Sequence, residues 1–215
     1  ADVPNRIAEP AAGSKRRLGA AFVNGGVLPY NFPIGVSAQR RAHTGGVHAM
    51  AVKLTYYGSM ALLIERSDGY RILIDPYLTD NPQTDARPEQ FYDVDLILLT
   101  HAAYDHFGDT VDIMAHSNAK LMCGYDCKAM VQEQLDLPKD RLINALYGDE
   151  ERFGMTTVRC VLAFHHSTRT FDGVRVYAPP FGYVVEIEPG AVLYHTGDTC
   201  LSAEMELIGR IYRPD

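Results

Sequence analysis

The chain has 215 residues, of which 47% are hydrophobic, and a formal net charge of −7 at pH 7. This length suffices for one substantial core, and no apolar run reaches the ~20 residues of a membrane-spanning helix. Residues 1–49 carry six lysines and arginines against two acids, whereas residues 50–215 carry fourteen against twenty-five. Nonspecific nucleic-acid binding depends on Lys and Arg contacts with phosphates. We therefore expect neither a nucleic acid nor a membrane as partner.

Residues 1–49 are rich in Gly, Ala, Pro and Arg, and Met50 stands directly before the first strand-like segment. We interpret residues 1–49 as an N-terminal extension or leader. It is an upstream-translated segment, a targeting peptide, or an extension that packs on the body or on a neighbouring subunit. Residues 50–215 are interpreted as the functional domain.

The four cysteines stand at positions 123, 127, 160 and 200. Their spacing is not that of paired zinc knuckles, and their density is below that of a secreted disulfide scaffold. We predict free thiols and a cytoplasmic location.

From Met50 onward, the hydrophobic pattern predicts short strands, with helices entering after the first four. Strands are predicted at 52–56, 60–65, 71–74, 96–99, 120–123, 156–164, 183–188 and 192–194. Helices are predicted at 110–116, 126–135 and 202–211. Hairpin turns are expected at Asp68-Gly69 and Pro189-Gly190.

The most informative segment is the apolar strand at 96–99, because it runs directly into a cluster of possible metal ligands. His101, Asp105 and His106 supply two imidazoles and a carboxylate within six residues, a donor set suited to zinc. Asp105 and His106 can face one centre only if the backbone turns sharply, which Gly108 permits. A loop that leaves a strand end is a usual place for such a site.

Three further segments place polar side chains just past predicted strands: Leu73-Ile-Asp-Pro76, Ala163-Phe-His-His-Ser167 and Tyr194-His-Thr-Gly-Asp-Thr199. Strands that converge on one edge of a sheet would bring these loops together. Asp75 has two equally weighted interpretations: it supports the metal site, or it caps its own turn.

The segment Thr100 to His106 resembles the metallo-β-lactamase superfamily signature Thr-His-x-His-x-Asp-His, with Ala103 in place of the second His. The three further segments occur in that superfamily's order, and the resemblance covers about residues 50–215. Residues 72–82 and 194–215 look most like the metal-dependent hydrolases related to ascorbate-6-phosphate lactonase. The resemblance implies an α/β fold, the αββα sandwich, here without its C-terminal strand and helix.

The same resemblance implies the metal ligands His101, Asp105, His106, His165 and Asp198. His101 and His165 would hold a first ion, in a site weakened by Ala103. Asp105 and His106 would hold a second, and Asp198 would bridge the two. One more histidine is expected beyond Asp215, so the chain would be a fragment or would be completed by a complementary chain. The expected cofactor is zinc, one or two ions, with manganese as the alternative.

The other histidines receive different interpretations. His166 is predicted to face the substrate or to support the metal ligands without binding the metal, with coordination through a shifted loop as the alternative. His195 is predicted to be buried and hydrogen-bonded. His116 is predicted to lie in a helix without a role in the site. The same lack of a role is expected for His43 and His48, with replacement of a missing ligand as the alternative.

These observations predict a metal-dependent hydrolase in which metal-bound hydroxide attacks a lactone or another ester-type small molecule. Asp105 would orient the nucleophile and His166 would serve the leaving group. The alternatives are a phosphodiesterase or β-lactam hydrolase, a single-ion enzyme, and a metal-depleted member that only binds or has a structural role. An exposed sheet edge would favour a homo-oligomer or a complementary chain.

Overall fold

The computed structural model describes residues 52–171 and 174–215. Residues 1–49, which include His43 and His48, lie outside the described residues. Their interpretation as an extension therefore stays a prediction, as does the domain boundary at Met50.

In the described residues, the strands are β1 (Lys53–Gly58), β2 (Ala61–Glu65), β3 (Arg71–Ile74), β4 (Leu96–Leu98), β5 (Lys120–Cys123), β6 (Leu142–Asn144), β7 (Glu150–Phe153), β8 (Thr156–Leu162), β9 (Ser167–Phe171), β10 (Val174–Ala178), β11 (Phe181–Glu188) and β12 (Ala191–His195). The helices are α1 (Tyr104–Phe107), α2 (Thr110–His116), α3 (Tyr125–Gln132) and α4 (Ala203–Tyr212). Short 3-10 turns cover Pro88–Phe91 and Lys139–Arg141.

The first sheet has six strands in the order β1 to β6. β1, β2 and β3 are antiparallel neighbours, and β3 to β6 run parallel. The hairpin predicted at Asp68-Gly69 joins β2 to β3, with Gly69 at φ +92°. β3 and β4 are apolar on both faces because both faces are covered, as is usual for parallel strands.

The second sheet has four antiparallel strands in the order β12, β11, β8 and β7. The predicted turn at Pro189-Gly190 joins β11 to β12, and Gly190 adopts φ +88°. β9 and β10 form a separate antiparallel ribbon. This ribbon follows directly on the segment that carries His165 and His166.

Two apolar clusters show how the layers stack. On one face of the first sheet, Leu73 and Ile97 belong to a cluster with Ile113 of α2. On the other face, Ile72 packs in a cluster with Val158 of the second sheet.

A further helix, α4, lies against the second sheet. The guanidinium of Arg159 on β8 lies 5.4 Å from the Tyr212 ring of α4, so α4 contacts the second sheet. The order helix, sheet, sheet, helix confirms the predicted α/β sandwich.

Most predicted elements are present, and β3, β5 and α2 have the predicted bounds. α3 ends at Gln132, three residues earlier than predicted. Prediction missed α1, β6, β7, β9 and β10. β6 and β7 are short, and three of the four residues of β7 are exposed, so no apolar alternation marks it.

All four cysteines are free thiols, as predicted; Cys123, Cys127 and Cys160 are buried and Cys200 is exposed. No helix in the described ranges combines the length and apolarity needed to cross a membrane.

Candidate metal centre

Three predicted ligands form one group at the end of the first sheet. His101 follows β4, His106 lies in α1 and Asp198 follows β12. One donor atom from each lies within 4.8 Å of the other two. His106 Nε2 is 3.4 Å from Asp198 Oδ2, and the rings of His101 and His106 are 4.1 Å apart between centroids.

His165 lies beside this group. Its Nε2 is 3.7 Å from Asp198 Oδ2, and its ring meets the His101 ring edge-on with centroids 5.4 Å apart. His166 is exposed and packs against His165, with ring centroids 4.5 Å apart. The substrate-facing role of His166 stays a prediction.

Asp105 is half-buried in the first turn of α1. Among the described residues, it is not part of the group of His101, His106 and Asp198. It lines a cavity of about 550 Å³ together with Tyr104, Tyr77 and Ser59. Its role as a ligand or as the group that orients the nucleophile therefore stays a prediction.

The backbone around α1 explains how His106 enters the group. The carbonyl of Ala103 accepts hydrogen bonds from the backbone N–H groups of His106 (3.1 Å) and Phe107 (2.8 Å), which starts the helix. The helix ends at Gly108, where φ is +36° and ψ is −122°. A Cβ atom at this position would lie 2.5 Å from the Pro76 carbonyl oxygen, so the predicted sharp turn requires glycine.

Asp75 is fully buried at the end of β3. Its Oδ1 accepts the Thr100 backbone N–H (2.8 Å), and its Oδ2 accepts the Thr100 hydroxyl (2.7 Å) and His106 Nδ1–H (2.9 Å). The side chain therefore binds the segment that carries Thr100 and His106, and its role in supporting a metal site stays a prediction. Since Nδ1 carries the proton, the lone pair of His106 Nε2 is directed to the group.

Burial alone would raise the pKa of Asp75 and lower that of His106. The hydrogen bond and the charge interaction between the two outweigh burial, so the pKa of Asp75 is lowered and that of His106 is raised. Binding of a cation at Nε2 would favour the imidazole with only Nδ1 protonated.

His101 is 2% exposed, and its Nε2 is buried without a hydrogen-bond partner in the described residues. Thr100 gives its own proton to Asp75, so its oxygen accepts from His101 Nδ1 (3.1 Å). A buried polar atom without a partner is costly, and a metal ion would supply the missing partner. The nitrogen and carboxylate donors of His101, His106 and Asp198 thus fit a zinc-like ion.

Burial, followed by the charge of His106, lowers the pKa of His101 to about 4. We expect the His101 imidazole of the metal-free protein to stay neutral down to about pH 4, because its buried ring disfavours a positive charge. Nitrogen-15 NMR of the histidines in chelator-treated protein would check this. Protonation of His101 near pH 6.5 would contradict it.

Two other predicted histidines also have clear positions. His195 is buried; its Nδ1 accepts the Gly197 N–H (3.3 Å) and its Nε2 lies 3.4 Å from the Met60 carbonyl oxygen. Burial lowers its pKa. His116 ends α2 and stacks on Tyr92 at 4.7 Å. The positions agree with the predictions that His195 is buried and hydrogen-bonded and that His116 lies in a helix.

Prediction missed the residues that connect the loops of the site: Thr100, Asp126, Ser167 and Thr199. Thr100 is the first residue of the signature segment, so its position in the sequence could have indicated a role in the site. The contacts of Asp126 and Thr199 span 41 and 35 residues of sequence, so no local pattern signals them.

Two packed sheets flanked by helices, with a His, His and Asp group at the sheet edge, define a metallo-β-lactamase-like protein. The family model described as β-lactamase superfamily domain matches residues 70–215. The chain belongs to this superfamily.

Several similar proteins are named as metal-dependent hydrolases. A UPF0173 metal-dependent hydrolase from Rubrobacter xylanophilus is 38% identical over 165 residues, which cover 76% of this chain and 67% of the relative. One from Pyrococcus horikoshii is 43% identical over 164 residues, covering 76% and 68%. Among solved structures, the metallo hydrolase Igni18 from Ignicoccus hospitalis has 32% identity and a TM-score of 0.62, covering 76% and 68%. These relatives support a metal-dependent enzyme.

Proposed function

We propose that the protein is a metal-dependent hydrolase that acts on a lactone or another ester-type small molecule. The observation that supports this most is the group of three donor residues at the sheet edge, in which the buried His101 Nε2 has no hydrogen-bond partner. The lactonase-like branch remains part of the proposal.

His101, His106 and Asp198 would hold the metal, and His165 would complete the site from its exposed side. Zinc suits imidazole and carboxylate donors, and manganese is the alternative. When bound, the metal would act as a Lewis acid that lowers the pKa of water and polarises the scissile bond. Asp75 and Thr100 keep both imidazoles in the orientation that leaves Nε2 free.

The cavity beside Asp105 would receive the substrate. Tyr77 and Tyr104 meet edge-to-face at 5.9 Å along its wall, and its acidic lining residues are Asp80 and Asp105. Its described lining contains neither lysine nor arginine, which favours an uncharged ester over a phosphodiester. Asp105 would orient the attacking water, and His166 would donate a proton to the leaving oxygen.

The test combines metal analysis with hydrolysis assays. We expect one or two metal ions per chain in protein purified without added metal. His101→Ala should reduce metal content and lower ester hydrolysis by more than the roughly 10- to 100-fold that loss of an outer-shell partner costs. His116→Ala is the matched control, because His116 lies at the exposed end of α2.

Equal activity of the metal-replete wild type and His101→Ala would contradict the proposal. Bound metal without hydrolysis of lactones, other esters, phosphodiesters or β-lactams would instead favour a member that binds without catalysis. Hydrolysis of phosphodiesters or β-lactams alone would keep the metal site and replace the substrate class.

A further inference from the structure

His165 lies in the irregular segment between β8 and β9, and its side chain is 36% exposed. Packing alone therefore holds the ring only in part. The residues on each side of the two-histidine segment, however, make hydrogen bonds to the chain neighbours of other predicted ligands. These contacts tie His165 to the rest of the metal centre.

On the N-terminal side, the Phe164 backbone N–H donates to Thr199 Oγ1 at 2.8 Å. Thr199 directly follows Asp198, and its hydroxyl donates in turn to the Cys200 carbonyl oxygen at 3.2 Å. This hydrogen bond joins the start of the His165 segment to the loop that carries Asp198.

On the C-terminal side, Ser167 is 1% exposed, and its hydroxyl both accepts and donates a hydrogen bond. Its Oγ accepts the Ala102 backbone N–H at 2.9 Å and donates to Asp126 Oδ2 at 2.5 Å. Ala102 directly follows His101, and Asp126 is buried in the first turn of α3. A carboxylate at the end of such a chain strengthens its hydrogen bonds.

We propose that Ser167 and Thr199 are positioning residues that hold His165 at the same metal ion as His101 and Asp198, with Asp126 fixing Ser167 from behind. Both ends of the four-residue span from Phe164 to Ser167 are anchored, which removes much of the freedom that His165 would otherwise lose on binding metal. The inference rests on the proposed function, since it requires a metal at this centre.

The test is a pair of double-mutant cycles read by metal affinity. Ser167→Ala and Thr199→Val are made alone and in a His165→Ala background, and zinc affinity is measured by competition with a chromophoric chelator. Each single change should weaken zinc binding about 10-fold or more. Neither should weaken it further once His165 is absent, because both are proposed to act through that ring. The visible spectrum of the cobalt-substituted protein should lose the same feature in all three single variants.

Ser202→Ala is the control, because Ser202 stands in the same loop as Thr199 and makes no side-chain cap hydrogen bond to α4. Its zinc affinity should equal that of the wild type. Circular dichroism checks that each variant folds. If Ser167→Ala does not fold, Thr199→Val decides, because Thr199 is only half-buried.

Losses that add to the effect of His165→Ala would overturn the inference while leaving the metal centre intact. Unchanged affinity in Ser167→Ala and Thr199→Val, with weakened affinity in His165→Ala, would overturn it as well. A wild type that binds no metal would overturn both the inference and the proposed function.

Discussion

Replacing Asp75 by alanine is expected to lower the free energy of unfolding by about 3–5 kcal/mol, as for other buried charge pairs that lose one partner. The carboxylate is fully buried and accepts hydrogen bonds from both polar groups of Thr100 and from His106 Nδ1. Alanine would leave all three donors without their acceptor. Urea denaturation of the metal-free protein would measure the loss.

Asp75→Asn separates the packing of this side chain from its control of His106. Asp75 adopts φ +47°, a left-handed conformation that asparagine tolerates well, so this variant should fold with a smaller loss of stability. The asparagine NH₂ group would donate towards His106 Nδ1 and favour the tautomer with the proton on Nε2. We therefore expect zinc affinity to fall by about 10- to 100-fold. Wild-type zinc affinity in Asp75→Asn would show that Asp75 does not set this tautomer.

Gly108→Ala is expected to lower the free energy of unfolding by about 3 kcal/mol or more, because both the backbone and the space at this position exclude a side chain. The new Cβ would lie 2.5 Å from the Pro76 carbonyl oxygen and 2.6 Å from the Tyr77 Cα. These are backbone atoms, so relief requires moving the end of α1. His106 lies in that turn, and zinc affinity should fall with stability.

Gly148→Ala is the matched control. Gly148 has φ +88°, and a Cβ there would meet nothing within 4 Å, so only the backbone cost of about 1–2 kcal/mol applies. Thermal and urea denaturation, together with zinc titration, would compare the two variants. Equal losses of stability, with unchanged zinc affinity in Gly108→Ala, would show that the contact with Pro76 and Tyr77 does not position His106.

Local sequence patterns predicted much of the secondary structure. β3 and β5 have the predicted bounds because continuous apolar residues mark buried strands, and α2 does because its pattern is helical. β6 was missed because its three residues are too few to establish a period and, unlike β4, are not continuously apolar. Pairing with β5 in the folded sheet makes it a strand.

For the candidate site, the sequence by itself predicted which residues offer metal donors and that their segments follow strands, because donor type and strand pattern are properties of short segments. It did not predict that Asp105 and His106 lie in the short helix α1. Only the tertiary structure decided that Asp75 binds Thr100 and His106, that Asp105 lies outside the group formed by His101, His106 and Asp198, and that Ser167 connects two loops. Such contacts form between side chains that are distant in the sequence. They are set by sheet pairing and burial, which require each buried polar group to find a partner.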